Sequence, residues 1–270
     1  SNAFTTFLAV FFMNIIAELI KYRGLILALV GRQLASRYRG SLLGFLWSFL
    51  NPLFFMLIYT LVFKYYVRIG GDTNYSVYLF CGLLPWTWFN SGLIEATSSI
   101  STSGSLITKS MFPPQILPAV AIVTNLVHYL LSLILLFLFI FYYQIPLTIK
   151  IIALPGVLLL QLFLMYGLAL LFSSLNVFFR DVQHLLGNVL SLLFFLCPII
   201  YQASIVPERF RFTIDFNPIA LLIESYHCVL IDGKWPPVWN VYVVFLFSIL
   251  IYILGKNVYL RNRETFAECL

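Results

Sequence analysis

The stretch Gly31–Phe63, GRQLASRYRGSLLGFLWSFLNPLFFMLIYTLVF, joins two segments of opposite character. Its first part carries Arg32, Arg37 and Arg39, whereas the 19 residues from Phe45 to Phe63 carry no charge. A helix of that length suits a bilayer core of about 30 Å. Arginines directly before an apolar span are typical of the cytoplasmic edge of a membrane helix. The stretch therefore predicts a surface helix followed by a first transmembrane helix.

Two glycines mark the joint between these segments. Gly40 and Gly44 enclose three residues, and glycine lets a chain turn without steric cost. The same spacing matches a G-x-x-x-G helix-dimerisation pattern. Because the pair lies at the edge of the apolar segment, we interpret it as a hinge.

The composition points to lipid as the solvent for most of the surface. The chain has 270 residues, of which 61% are hydrophobic and 10% are charged, with a mean hydropathy of +0.97. Soluble domains are about 25% charged. The net charge of +6 would suggest nucleic acid as the partner of a soluble protein. Here basic loops and anionic lipid explain it, and we expect no nucleic-acid partner.

We therefore predict an all-α integral membrane protein with a six-helix transmembrane domain over residues 45–259. The predicted spans are Phe45–Val67, Val77–Ser99, Ile116–Tyr143, Ile151–Phe179, Leu185–Tyr201 and Val238–Tyr259. The fifth is short and is broken at Pro198. No internal repeat is visible, which gives little support to an inverted-repeat carrier.

Residues 4–44 are predicted to form helices on the cytoplasmic surface. Ser1-Asn2-Ala3 resembles an expression-tag scar and is set aside. In Phe4–Ile20 the apolar residues recur at helical spacing, which favours an amphipathic interface helix over a signal peptide because Asn14 and Glu18 interrupt the run. Leu25–Ser36 continues as a second surface helix, and residues 260–270 form a tail.

The segment at about residues 202–237 is predicted to enter the membrane without crossing it. Its apolar part, Ile219–Ile231, is too short to span a bilayer. Asn217-Pro218 before it and Asp232-Gly233 after it are typical helix boundaries. We predict short re-entrant helices here.

The distribution of basic residues predicts the orientation. An even number of spans puts both termini on one side. Ten of the 16 lysines and arginines fall on that side and six on the other. This bias favours cytoplasmic termini.

The sequence lacks the groups that most membrane enzymes and ion-driven carriers need. There is no G-x-x-x-x-G-K-[ST] phosphate loop, and His128, His184 and His227 lie far apart. We expect no metal and no cofactor in this chain. Glu95 is the one acid well inside a predicted span, and it faces either a helix end or a wet cavity. A transferase acting on lipid-linked sugars and an ion-coupled carrier remain as alternatives.

Aromatic residues make up 18% of the chain. Most lie near predicted span ends, as in any membrane protein. Trp86, Trp88 and Phe89 lie inside a span instead. Together with Tyr59 they are candidates for lining a path along which sugar rings slide. If so, leucine at both tryptophans would impair transport and not folding.

Two loops on the predicted cytoplasmic side are candidates for partner contacts. The first contains Lys109, Met111, Phe112 and Pro113, with apolar residues beside polar ones. The second, Asn176–Asp181, ends a span and places Arg180 beside Asp181 as an ion pair that holds the loop's shape.

Four pieces of the chain resemble, in order, the permease subunit of bacterial ABC-2 type polysaccharide exporters. They are RYRGSLLGFLWSFLNPL from Arg37, GLLPW from Gly82, the loop Lys109–Pro118, and LNVFFRD from Leu175. The resemblance implies a homodimer in the bacterial inner membrane with two cytoplasmic ATPase subunits, which bind ATP and Mg²⁺. It also implies a polysaccharide linked to polyprenyl pyrophosphate as substrate. O-antigen, teichoic acid and capsule remain open as the polymer.

Given such a substrate, Arg32, Arg37, Tyr38 and Arg39 are candidates for its pyrophosphate. The planar fork of arginine suits phosphate oxygens. The alternative is plain attraction to anionic lipid, worth on the order of 1 kcal/mol per basic residue.

Overall fold

The computed structural model describes residues 21–68, 74–104, 106 and 113–269. The predicted interface helix Phe4–Ile20 and the loop residues Lys109, Met111 and Phe112 lie outside this part of the chain. Within it, secondary structure is helical throughout. The longer helices are α1 Arg23–Tyr38, α2 Trp47–Tyr59, α3 Tyr75–Ser99, α4 Ile116–Tyr142, α5 Leu154–Phe178, α6 Asp181–Leu196, α8 Pro218–Leu230 and α9 Val238–Asn262. Two short ones are α7 Phe212–Asp215 and α10 Phe266–Cys269.

Four helical segments of the described chain are long and apolar enough to cross a membrane. They are Gly44–Tyr66, Ile116–Tyr142, Ile149–Phe178 and Val238–Asn262. Each coincides with a predicted span to within three residues. The first is composite: a 3₁₀ turn leads into α2, and a π-helix over Thr60–Tyr66 completes it. The protein is thus a multi-pass helical membrane protein.

The other two predicted spans have different characters. Val77–Ser99 falls within α3, whose 25 residues extend about 37 Å at 1.5 Å per residue. α3 is the central helix, since α2, α4, α5, α6 and α8 all pack on it. The prediction for Leu185–Tyr201 is too long at its end, because α6 has 16 residues and stops at Leu196. Proline disfavours helical backbone in the residue before it, which explains the stop close to Pro198.

The helix predicted over Ile219–Ile231 forms as α8, Pro218–Leu230. The Asn217 side chain accepts hydrogen bonds from the backbone N–H groups of Ile219 and Ala220, at 3.1 and 3.4 Å. At its far end Gly233 has a φ of +59°, a conformation suited to glycine. Both helix boundaries were therefore predicted correctly. α8 is largely buried against α3, α5 and α9.

α5 packs most extensively on α9, and glycine allows the two backbones to meet. A Cβ atom added at Gly255 would lie 2.5 Å from the Gly167 carbonyl oxygen. A Cβ at Gly167 would lie 2.9 Å from the backbone nitrogen of Tyr252. We refer to this meeting of Gly167 and Gly255 as the glycine contact.

Candidate functional site

α1 is fixed to the bundle by one apolar stripe. Ile26 and Val30 are buried against Ile116 and Val120 at the start of α4. Both pairs are four residues apart, so each pair lies on one face of its helix. This packing sets the rotation of α1 on α4.

The same face of α1 continues into polar residues. Gln33 and Arg37 lie three and seven residues beyond Val30, which places them on the packed side. The Thr124 hydroxyl donates to the Gln33 side-chain oxygen at 3.1 Å. Arg37 is thereby directed toward α3 and α4 rather than away from the bundle.

Arg37 meets Glu95 and Asn125 in a closed set of side-chain contacts. Its guanidinium forms an ion pair with one Glu95 oxygen and donates to the Asn125 side-chain oxygen at 3.4 Å. The Asn125 amide donates to the other Glu95 oxygen at 2.5 Å. Glu95 therefore faces a cationic partner at the end of α3. We call the contacts of Gln33, Arg37, Glu95, Thr124 and Asn125 the polar junction.

Tyr38, the next residue, makes a second set of contacts. Its hydroxyl lies 2.6 Å from the Ser48 hydroxyl and 3.2 Å from Nδ1 of His128. The Ser48 hydroxyl lies 2.9 Å from the same nitrogen. Nε2 of His128 is buried and has no hydrogen-bond partner among the described residues. The set ties the end of α1 to α2 and α4.

Two cavities with polar groups in their lining flank these contacts. One, of about 530 Å³, opens among α1, α2, α3 and α4. Arg37, Tyr38, Ser48, Trp88, Asn125 and His128 are among its lining residues. The other, of about 420 Å³, is lined by hydroxyl groups of α1 and the end of α3, and by Arg32, Gln33 and Glu95. Arg37 thus lines the first cavity and its partner Glu95 lines the second.

The predicted hinge glycines lie where α1 turns into the first span. Gly40 and Gly44 have φ values of +79° and +47°. This left-handed conformation favours glycine. The Ser41 hydroxyl accepts the Gly44 N–H at 3.2 Å and stabilises the turn. The turn is as expected, whereas movement about it stays a prediction.

The four predicted phosphate-binding residues do not share one cavity. Arg37 and Tyr38 line the larger one, and Arg32 lines the smaller. Arg39 is exposed just after α1. Binding by any of them stays a prediction.

The predicted path-lining aromatics also separate. Trp88 lines the larger cavity, donates its indole N–H to the Ile122 carbonyl at 3.2 Å and stacks on Tyr129 at 5.2 Å between centroids. Trp86 and Phe89 are buried and in contact with each other. Tyr59 packs on Phe194. Their role in lining a sugar path stays a prediction.

Of the predicted coupling residues, the structure describes Pro113, Arg180 and Asp181. The Pro113 carbonyl accepts the Ile116 N–H at 3.2 Å and so precedes α4 directly. Arg180 and Asp181 are both exposed at the start of α6. The ion pair expected between them is absent from the part of the chain that the structure describes, where ion pairs join Arg37 to Glu95 and Arg263 to Glu264. Asp181 instead lies in the first turn of α6, where the helix dipole favours an acid.

Sequence reasoning missed the part that α4 plays in the site. His128 was noted only as one of three histidines that lie far apart, and Asn125 and Ser48 were not considered. A signal was present, because Thr124, His128 and Ser132 recur every four residues, with Asn125 beside the first of them, in a helix that is mostly apolar. Polar residues on one face of a membrane helix mark the side that turns away from lipid.

A cavity with polar and charged lining groups among helices of crossing length is typical of membrane transport proteins. Residues 24–230 match the family model of the ABC-2 type transporter, and the chain belongs to that family. It is 37% identical to an O-antigen export system permease protein of Myxococcus xanthus, over 96% of this chain and all of the relative. A Klebsiella pneumoniae protein of the same description is 30% identical, over 91% of this chain and 95% of its own. A polysialic acid transport protein of Escherichia coli is 23% identical, over 88% and 92%.

Proposed function

We propose that this chain is the permease subunit of an ATP-driven exporter that moves lipid-linked polysaccharide of the O-antigen type across the bacterial inner membrane. Its family membership and its full-length similarity to O-antigen export permeases support this function. ATP and Mg²⁺ are bound by a separate ATPase subunit. Two copies of this chain and two ATPase subunits form the exporter.

One observation supports the substrate class directly: Arg37 faces a cavity that combines a cation with hydroxyl, amide and aromatic groups. A guanidinium fork pairs with phosphate oxygens. Amide and hydroxyl groups form hydrogen bonds with sugar hydroxyls. Arg37 and Tyr38 therefore receive the pyrophosphate of the substrate, with Arg32 and Arg39 as nearby basic residues.

The proposed topology places this site at the cytoplasmic face. The chain crosses the membrane six times, residues 202–237 enter and leave on the far side, and both termini are cytoplasmic. The ten basic residues on the side of the termini support this orientation. The loop with Met111, Phe112 and Pro113, and the turn with Arg180 and Asp181, then face the ATPase subunits.

Reconstitution with the ATPase subunit tests the proposal. The purified chain alone hydrolyses no ATP, whereas the complex hydrolyses ATP and moves labelled lipid-linked polysaccharide across a proteoliposome membrane. ATP hydrolysis by the isolated chain above that of a mock preparation would contradict the permease assignment. A change in the sugar content of the lipid-linked precursor would favour the transferase alternative, and transport driven by an ion gradient alone would favour the carrier.

A further inference from the structure

Glu95 neutralises the cation that the proposed function assigns to the substrate. Both of its carboxylate oxygens are engaged, one by Arg37 and one by Asn125. With its remaining N–H groups Arg37 still faces the larger cavity. A phosphate arriving there meets a guanidinium that already has a carboxylate partner.

The pair is accessible enough to exchange partners. The side chains of Arg37 and Glu95 are 29% and 35% exposed. Exposed ion pairs are weak because water and salt screen them. A ligand of higher charge can therefore displace the carboxylate, since Coulomb attraction grows with the charge of the anion.

Glu95 also has polar surroundings to receive it after displacement. It lines the smaller cavity, together with the Arg32 side chain and the Gln33 amide. A carboxylate that leaves Arg37 keeps hydrogen-bond partners there, which avoids the cost of an unpaired charge.

We propose that Glu95 is a specificity-determining residue that lets a pyrophosphate, but not the singly charged phosphodiester of a bulk phospholipid, bind Arg37. This inference rests on the proposed function, in which Arg37 receives the lipid pyrophosphate. Anionic phospholipids surround the site in great excess, so discrimination against them needs a repulsive element as well as an attractive one. The Glu95 carboxylate supplies it as a competitor for Arg37, because an anion binds only if its attraction to the guanidinium exceeds that of the carboxylate it displaces, and this attraction is greater for a pyrophosphate than for a singly charged phosphodiester.

Glu95→Gln tests the proposal, because the glutamine oxygen can still accept the hydrogen bond from Asn125, whereas the charge and the acceptor that faces Arg37 are lost. The full complex with its ATPase subunit is placed in nanodiscs of phosphatidylcholine, with or without phosphatidylglycerol, and titrated with farnesyl pyrophosphate. We expect wild-type affinity to change little when phosphatidylglycerol is added. In Glu95→Gln we expect tighter binding in neutral discs and a loss of about tenfold when the anionic lipid is added, the value of one charge-assisted contact.

Glu224→Gln is the matched control. Glu224 also accepts a hydrogen bond from an asparagine, Asn240, at 3.0 Å, but it lies on α8. We expect this variant to behave as wild type. Glu95→Asp provides a second variant if glutamine impairs assembly, since it keeps the charge on a shorter side chain and should show intermediate sensitivity to phosphatidylglycerol.

The outcomes separate the two proposals. If wild-type protein binds farnesyl pyrophosphate, Arg37→Lys weakens that binding, and Glu95→Gln is no more sensitive to phosphatidylglycerol than wild type, the role of Glu95 is refuted and the binding site stands. If wild-type protein shows no binding, or Arg37→Lys leaves binding unchanged, the pyrophosphate site itself is refuted and the role of Glu95 with it.

Discussion

α5 and α9 meet through glycine, whereas α1 reaches α3 and α4 through charged, amide and hydroxyl side chains. At the glycine contact the backbones leave no room for a Cβ atom. At the polar junction the partly exposed side chains of Arg37 and Glu95 border two cavities. Close backbone packing admits one arrangement, and exposed ion pairs exchange partners readily. The comparison indicates a rigid half built on α5 and α9 and an adjustable end at α1.

Gly255→Ala should have the largest effect, because it disrupts the glycine contact through which α5 and α9 pack. The added methyl group would overlap the Gly167 carbonyl oxygen, which backbone rigidity keeps in place. Overpacking costs about 1–3 kcal/mol, and a backbone neighbour places this variant at the upper end. We expect a lower unfolding temperature and less monodisperse protein in size-exclusion chromatography.

Gly156→Ala is its control on the partner helix α5, which also carries Gly167. A Cβ there meets no atom within 4 Å. Alanine also favours helix over glycine. An equal loss of stability in both variants would show that the loss does not depend on the space around the glycine, and the glycine contact would then have no special status.

At the polar junction, Arg37→Lys should reduce export without affecting the fold. Lysine keeps the charge but loses the planar fork, which removes charge-assisted hydrogen bonds worth about 1.5–3 kcal/mol. That loss corresponds to about tenfold or more in export rate by the reconstituted complex. Insertion and topology, measured by cysteine accessibility, should stay as in wild type.

Arg39→Lys and the double variant sharpen this result. Arg39 is exposed and lines neither of the two cavities. We therefore expect Arg39→Lys to export more than Arg37→Lys, and the double variant to resemble Arg37→Lys. If the double variant exports at the wild-type rate, the two arginines act only as topology signals and do not bind the substrate.

Local signals in the sequence predicted most of the fold. The uncharged run after Gly44 predicted the first span. The limits of α8 were predicted from Asn217-Pro218 and Gly233. Both predictions succeeded because helix caps and the length of an apolar run depend only on residues that are neighbours in the sequence. The ion pair of Arg37 with Glu95 joins residues 58 positions apart. Such a contact depends on how α1 is rotated on α4, which a single sequence does not reveal. For the same reason burial of Trp86 was not anticipated from its place inside a span.

Trp88→Leu tests where the boundary between the two regions lies. Trp88 lines the cavity of the adjustable end, yet it is bonded to the Ile122 carbonyl and stacked on Tyr129. Loss of one hydrogen bond and one aromatic contact should cost about 2 kcal/mol of folding stability. This revises the expectation that leucine there affects transport alone. An unchanged unfolding temperature, with export reduced, would restore it.

Thr124→Val should have the smallest effect and isolates the attachment of α1. Thr124 and Thr97 are both fully buried, and each hydroxyl can donate to the carbonyl four residues earlier in its own helix. Only Thr124 also reaches another helix, at Gln33. Removing one neutral hydrogen bond costs about 1 kcal/mol, which corresponds to an increase of several-fold in amide hydrogen exchange along α1. Thr97→Val should leave that exchange as in wild type, because it removes a hydroxyl from α3 without touching α1. Faster exchange in both variants would indicate that α1 responds to any disturbance of the core, and the polar junction would then lose its separate role in holding Arg37.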